Sequence, residues 1–236
     1  MAKEPIRQRV WDAMEEEGIA RFPFPPHDRI PNFDGAERAA DRLSTVREWT
    51  SASVIKANPD APQLPVRRAA LHAGKTVFMA VPRLRSDACF MRLDPADLDD
   101  PDRAATLSHA SEYATRVRPA AVPEIDMVVA GSVSVTESGD WIGKGEGYSD
   151  LEFAILEESG SVTRETVVAT TVHEIQVTGE TFPVDAHDVP MDLIVTPERT
   201  IRTDRLDDRP SEIDWTLVSE NQLDDIPVLR TFADRS

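Results

Sequence analysis

Residues 125–160 read IDMVVAGSVSVTESGDWIGKGEGYSDLEFAILEESG. The opening IDMVVAGSVSV, 125–135, is apolar and rich in β-branched residues, the composition of a central strand and its exit. TESGDWIGKGEGYSD is polar and glycine-rich and reads as a loop, and LEFAILEESG reads as a helix that stops at Gly160. Strand, loop and helix in that order make half of a parallel-sheet crossover. Within the loop, Gly143, Gly145 and Gly147 stand at every second position around Lys144. Such glycines either permit positive φ in a tight turn or let an anion approach main-chain N–H groups at the start of a helix. The run matches neither a P-loop nor the dinucleotide fingerprint, because its spacing is GxGxG and no Gly-Lys-Ser/Thr follows.

The flanking sequence extends the pattern. Ile6, Val10 and Met14 recur every four residues before Gly18, which predicts an amphipathic helix over 3–18. RFPFPPHDRIPNF, 21–33, is excluded from regular helix by its prolines. Asp34 is placed to cap a helix through DGAERAADRLSTVREW. SVIKAN, KTVFMAVP and CFMRL read as strands around a helix LPVRRAALHAG; TVVATTVHEIQV and MDLIVTP read as two more strands, and 94–123 as helix and loop. This alternation predicts one α/β domain over 1–236, Rossmann-like, with a mixed or largely parallel sheet and helices on both faces. Residues 202–236 read as a C-terminal extension packed back through Trp215, Leu217, Ile226 and Leu229.

Composition bounds the function. With 236 residues, 40% of them hydrophobic, the chain can bury one sizeable core. No apolar run approaches the roughly 20 residues that cross a bilayer, and MAKEPIRQRVWDAMEEE is charged and amphipathic, so a cytoplasmic protein is expected. The single cysteine, Cys89, lies in the apolar run ACFMRL and reads as a buried, inert thiol. A net charge of −17 argues against nucleic acid or an anionic membrane as partner. Lysine occurs only at Lys3, Lys56, Lys75 and Lys144, arginine supplies the other cations, and aspartate is abundant. That balance is the pattern of a protein working at high salt, where surface carboxylates hold water and screening removes their repulsion.

A second constellation is VDAHDVPMDLIVTP, 184–197. Asp188 and Asp192 flank a proline before a strand, which suits a hard cation shared with substrate phosphates or, equally, an acidic turn. Trp141, just before the glycine run, reads as the floor of an apolar pocket or as a plug beneath the turn. The histidines His27, His72, His109, His173 and His187 have no metal-ligand spacing.

Together these pieces resemble the 5-formyltetrahydrofolate cyclo-ligase family. The likeness lies in a GxGxGYYD-type loop, here Gly143, Gly145, Gly147, Tyr148 and Asp150, and in an HDxxxD element, here His187, Asp188 and Asp192. A lysine and arginine four apart on the first helix, Lys3 and Arg7, add to it. The resemblance implies a cyclo-ligase-like fold and ATP- and magnesium-dependent closure of 5-formyltetrahydrofolate to 5,10-methenyltetrahydrofolate. It implies that the glycine loop with Lys3, Arg7 and Lys144 holds ATP, that Asp150 and Asp188 ligate Mg2+, and that Lys144 and Tyr148 stand at the reacting centre. Trp141, Tyr148 and Ser149 would line the folate side. Read from the residues alone, Arg21 and Arg29 suit a phosphate or a glutamate tail or, equally, belong to a rigid proline-rich clasp between two helices. Where the family reads YYDR, this chain has Ser149 and Leu151. Two alternatives therefore stand beside the cyclo-ligase: a non-catalytic nucleotide- or folate-binding module, and an ATP-dependent enzyme acting on a different pterin or heterocycle.

Overall fold

The computed structural model describes residues 2–185, 188–203, 209, 213, 215–216, 218 and 220–233; His187 and Leu217 lie outside the described residues. Helix α1 (Lys3–Glu16) buries Ile6, Val10, Trp11 and Met14 along one stripe, each worth roughly 1.5–3 kcal/mol of apolar burial. Strands β1 (Ala20–Arg21) and β2 (Asn32–Phe33) pair at the base of the proline-rich loop. The helix expected from Asp34 is two helices, α2 (Ala36–Ser44) and α3 (Arg47–Ser51), because Val46 takes an extended conformation between them. Asp34 does not cap: Gly35 holds the N-cap position, and the Asp34 carboxylate pairs instead with Arg21 at 2.7 Å.

The alternation then proceeds as the sequence predicts, through β3 (Val54–Ala57), α4 (Leu64–His72), β4 (Thr76–Ala80) and β5 (Phe90–Leu93). Residues 94–123 hold the short helices α5 (Pro101–Ala104) and α6 (Ala110–Tyr113) and a strand the sequence does not announce, β6 (Thr115–Val117). It is an edge strand with Thr115 and Arg116 exposed, so it carries no apolar signature. After β7 (Met127–Ala130) the chain leaves the main sheet and makes a hairpin, β8 (Ser134–Thr136) and β9 (Trp141–Ile142), before the glycine run. The predicted loop thus contains a strand. There follow α7 (Tyr148–Glu158), β10 (Val167–Thr171), β11 (Val177–Thr178), β12 (Leu193–Val195), β13 (Thr200–Arg202), α8 (Glu220–Asp225) and α9 (Pro227–Ala233).

The main sheet has eight strands in the order β13-β12-β10-β7-β3-β4-β5-β6. The five from β12 to β4 run parallel, while β13, β5 and β6 pair antiparallel with their neighbours, so the sheet is mixed. Register aligns Lys56, Val128 and Val168 across one face, where α7 brings Glu152 onto Lys56. Thr171 points to the opposite face, where Gln63 at the start of α4 bonds to it. Helices therefore cover both faces.

Order reverses between β3 and β7: the chain runs from β3 outward to β4, and from β7 outward to β10 and β12. In open α/β sheets such a switch point leaves a crevice beyond the carboxyl ends of the two strands. A small sheet, β11-β8-β9, and α1 stand beside that crevice. They enclose a second apolar cluster, Ile6, Trp11, Met14, Ile30, Val133 and Ile142 among them, apart from the core around the large sheet. Ile226, Leu229 and Phe232 are buried in the main core and Trp215 packs against it. No helix among the described residues is long and apolar enough to cross a membrane.

Candidate active site

The apolar run LEFAILEE predicts a helix from Leu151, yet α7 starts at Tyr148. Tyr148, Ser149 and Asp150 are therefore its first turn, and the glycine run leads directly into it. Gly145 at φ +99 and Gly147 at φ +70 hold the left-handed backbone this entry requires, a conformation that costs other residues about 1–2 kcal/mol. First-turn N–H groups have no partner inside a helix, so this end of α7 is suited to an anion.

The facing wall is α1. Arg7 Nε donates to the Gly143 carbonyl at 2.7 Å, and its Nη1 to Glu4 at 2.7 Å, which holds the guanidinium along the glycine run. Lys3 Nζ stands 2.5 Å from Asp188 Oδ2 and 3.5 Å from Asp185 Oδ2. Lys144 is held by Glu146 at 2.7 Å. Trp141 is buried with its ring against Gly143, and its indole Nε1 has no hydrogen-bond partner among the described residues. It lines the cleft and lies against the glycine run. Lys3, Arg7, Trp141, Gly143, Lys144, Gly145, Gly147, Tyr148, Ser149, Asp150 and Asp188 line one cleft of about 190 Å³, whereas Arg21 and Arg29 lie outside it. Asp192 does not join Asp188 there. It is buried immediately before β12, accepts from Val168 N at 2.7 Å and pairs with Arg209. Its carboxyl is pushed up by burial, against the pull of those two partners.

A second, larger cavity of about 970 Å³ adjoins the cleft and shares Ile30, Asp60, Lys144, Glu146, Tyr148 and Ser149 with it. Its apolar surface comes from Leu64, Ala80, Val81 and Leu107. Asp60 stands on the seam between the two spaces. Burial pushes its carboxyl above the usual range, against the opposing pull of Lys144, Arg67 and Lys56. The segment carrying it is clamped by Arg67, which donates to the carbonyls of Asn58 at 2.5 Å, Asp60 at 3.1 Å and Ala105 at 2.8 Å. Burial brings the Arg67 guanidinium down to about 10.

Beneath the first turn of α7 runs a buried polar chain. Lys56 pairs with Glu152 and donates to Asn58 Oδ1 at 2.5 Å, and Asn58 Nδ2 donates to Ser149 Oγ at 2.8 Å. Burial pushes the Glu152 carboxyl up, with Lys56 opposing. Sequence reading missed this chain and Asp60. The signal was present: a lysine inside the apolar strand VIKA, and a glutamate between the core residues Leu151 and Phe153 of α7.

Residues 3–197 match the model of the 5-formyltetrahydrofolate cyclo-ligase family. The chain belongs to that family. Methenyltetrahydrofolate synthase domain-containing proteins are its relatives in Bos taurus, 40% identical over 237 residues, and in Mus musculus, 42% identical over 241 residues. The matches cover 98% and 100% of this chain but only 62% and 64% of those proteins, so the chain spans less than two thirds of their length. The fold is similar to the NMR structure of Aquifex aeolicus 5,10-methenyltetrahydrofolate synthetase, with a TM-score of 0.55 at 20% identity, covering 92% of this chain and 100% of that one.

As a cyclo-ligase family chain it shows how its departures from YYDR are accommodated. Ser149 is tied to Asn58, and Leu151 packs into the main core. Asp60, Glu146, Asp150 and Asp188 are the carboxylates that line the cleft, Glu146 paired with Lys144 and Asp188 with Lys3. Among the described residues no group of three or more His, Cys, Asp or Glu side chains is gathered for a metal. Asp150 and Asp188, beside an anion loop, would suit a magnesium ion brought by a nucleotide.

Proposed function

We propose that this chain closes 5-formyltetrahydrofolate to 5,10-methenyltetrahydrofolate, converting ATP to ADP and phosphate. The observation that carries the reading is the seam: a small cleft edged by Lys3, Arg7, Lys144 and the glycine run opens on a cavity large enough for a pterin and its side chain. A triphosphate in the cleft would present its γ-phosphate where the two spaces meet.

The formyl oxygen displaces ADP from the γ-phosphorus and gives an iminium phosphate. N10 then adds to the formyl carbon and loses its proton, and the carbon–oxygen bond breaks with departure of phosphate. This needs positioning and charge more than a covalent nucleophile. The N–H groups of the glycine run and Arg7 hold the phosphates, while Lys144, on the seam, balances the charge that moves between them. Magnesium held at Asp150 and Asp188 would supply further neutralisation of the triphosphate. Tyr148 and Ser149 border the pterin, Trp141 floors the cleft, and Asp60 offers a carboxyl to the amino edge of the ring. We take the protein to work in the cytoplasm at high salt, without nucleic acid or membrane.

Absorbance at the methenyl-folate band tests the reading. Purified protein in concentrated potassium chloride, with 5-formyltetrahydrofolate, magnesium and ATP, is expected to give an ATP-dependent rise that Asp150→Asn abolishes. A flat trace from folded protein that binds ATP would replace the reading with a binding role or another heterocyclic substrate.

A further inference from the structure

The larger cavity carries features that ring closure does not use. Among the described residues only Asp28, Arg83 and Leu84 are non-glycine residues with positive φ, at +59, +55 and +53. Asp28 and Arg83 both line this cavity. Left-handed backbone at bulky residues costs roughly 1–3 kcal/mol each and persists where side-chain direction matters. Asp28 directly precedes Arg29, and Arg83 is itself strained. Both arginines line the cavity, and among the described residues neither guanidinium has a hydrogen bond or ion pair. The Arg29 Nε is shut from water without a partner, a loss that a ligand would repair. The other cations here are engaged: Arg67 on carbonyls, Lys144 on Glu146. The apolar side chains Phe22 and Leu107, 78% and 47% exposed, border the same space. Two open guanidiniums beside exposed apolar side chains match a ligand that joins an aromatic ring to carboxylates.

We infer that Arg29 and Arg83 clamp the glutamate carboxylates of the folate, with Phe22 and Leu107 against its aminobenzoyl ring. The inference rests on the folate reading above and assigns the tail end of that substrate. Arg21, the other arginine of the proline-rich segment, is spent on Asp34 and the carbonyls of Gly18 and Ala20, so it takes no part.

The test compares 5-formyltetrahydrofolate with 5-formyltetrahydropteroate, which lacks the glutamate, in the parent protein, Arg29→Gln and Arg83→Gln. Each substitution is expected to raise KM for the glutamate-bearing substrate about tenfold, the worth of a charge-assisted bond. KM for the pteroate and for ATP, and the thermal midpoint, should stay as in the parent. An equal rise for both substrates, or none, overturns the clamp and leaves ring closure standing. If the parent turns over neither substrate, equilibrium binding of p-aminobenzoylglutamate decides. Binding that both variants lose supports the clamp, and no binding to the parent overturns it.

Discussion

Lys56 and Glu152 meet inside the molecule as an ion pair, their side chains 2% and 9% exposed, directly beneath the first turn of α7. Removing the cation alone would leave a buried carboxylate uncompensated. Lys56→Met is expected to cost about 3 kcal/mol in urea unfolding near neutral pH. Burial already raises the Glu152 carboxyl above its unfolded value of 4.5, and loss of Lys56 raises it further. A carboxyl with a raised folded value favours the folded state below the unfolded one and loses that contribution as pH climbs. The deficit should thus be smallest below pH 4.5 and grow above it. Lys56→Met with Glu152→Leu should recover most of the loss; a double variant no more stable than Lys56→Met would refute the buried-charge account.

Gly145 and Gly147 separate backbone strain from crowding. Both have positive φ, but a methyl at Gly147 meets nothing within 4 Å, whereas one at Gly145 comes 3.3 Å from the guanidinium carbon of Arg7. Gly147→Ala is expected to lose only about 1 kcal/mol of stability. Gly145→Ala should lose a similar amount and also displace Arg7 from Gly143, weakening ATP roughly tenfold in a binding titration. Equal ATP affinities in the two variants would separate Arg7 from the nucleotide.

Cys89 gives a spectroscopic check on the core between β4 and β5. Its thiol is fully buried and burial pushes it up to about 12, so at pH 8 only about one molecule in ten thousand carries the thiolate. A disulfide reagent should label nothing in the native protein and one thiol per chain in urea. Rapid native labelling would mean that this strand pair opens.

What the sequence discloses and what it hides follow from the range of the forces involved. Helix α1 and the strands KTVFMAVP and MDLIVTP are legible because their burial pattern is written in neighbouring residues. The residues from Gly143 to Asp150 share a cleft for the same local reason, since one loop and one helical turn carry them. The cap expected at Asp34 does not form because its choice between a helix N–H and Arg21 is made by β1, thirteen positions away. Asp192 is close to Asp188 in sequence, but Val168 N and Arg209 hold it outside the cleft. The Lys56, Asn58, Ser149 and Glu152 chain joins two segments 96 residues apart at its widest contact, which only the meeting of β3 with α7 creates.

Asp60 yields a pH signature that reports directly on the seam between the two spaces. Its carboxyl is raised above 3.8, chiefly by burial, and Lys144, Arg67 and Lys56 do not fully offset this. The folded state thus binds the Asp60 proton more tightly than the unfolded chain does. Its contribution is complete below pH 3.8 and is lost as pH rises from there through the raised folded value. Asp60→Asn cannot titrate, so the stability of the parent relative to this variant should fall with pH over that interval and be level above it. Urea unfolding of both proteins from about pH 3 to 7 gives the difference curve. A curve that instead rises with pH would mean that the pull of Lys144, Arg67 and Lys56 outweighs the burial of Asp60.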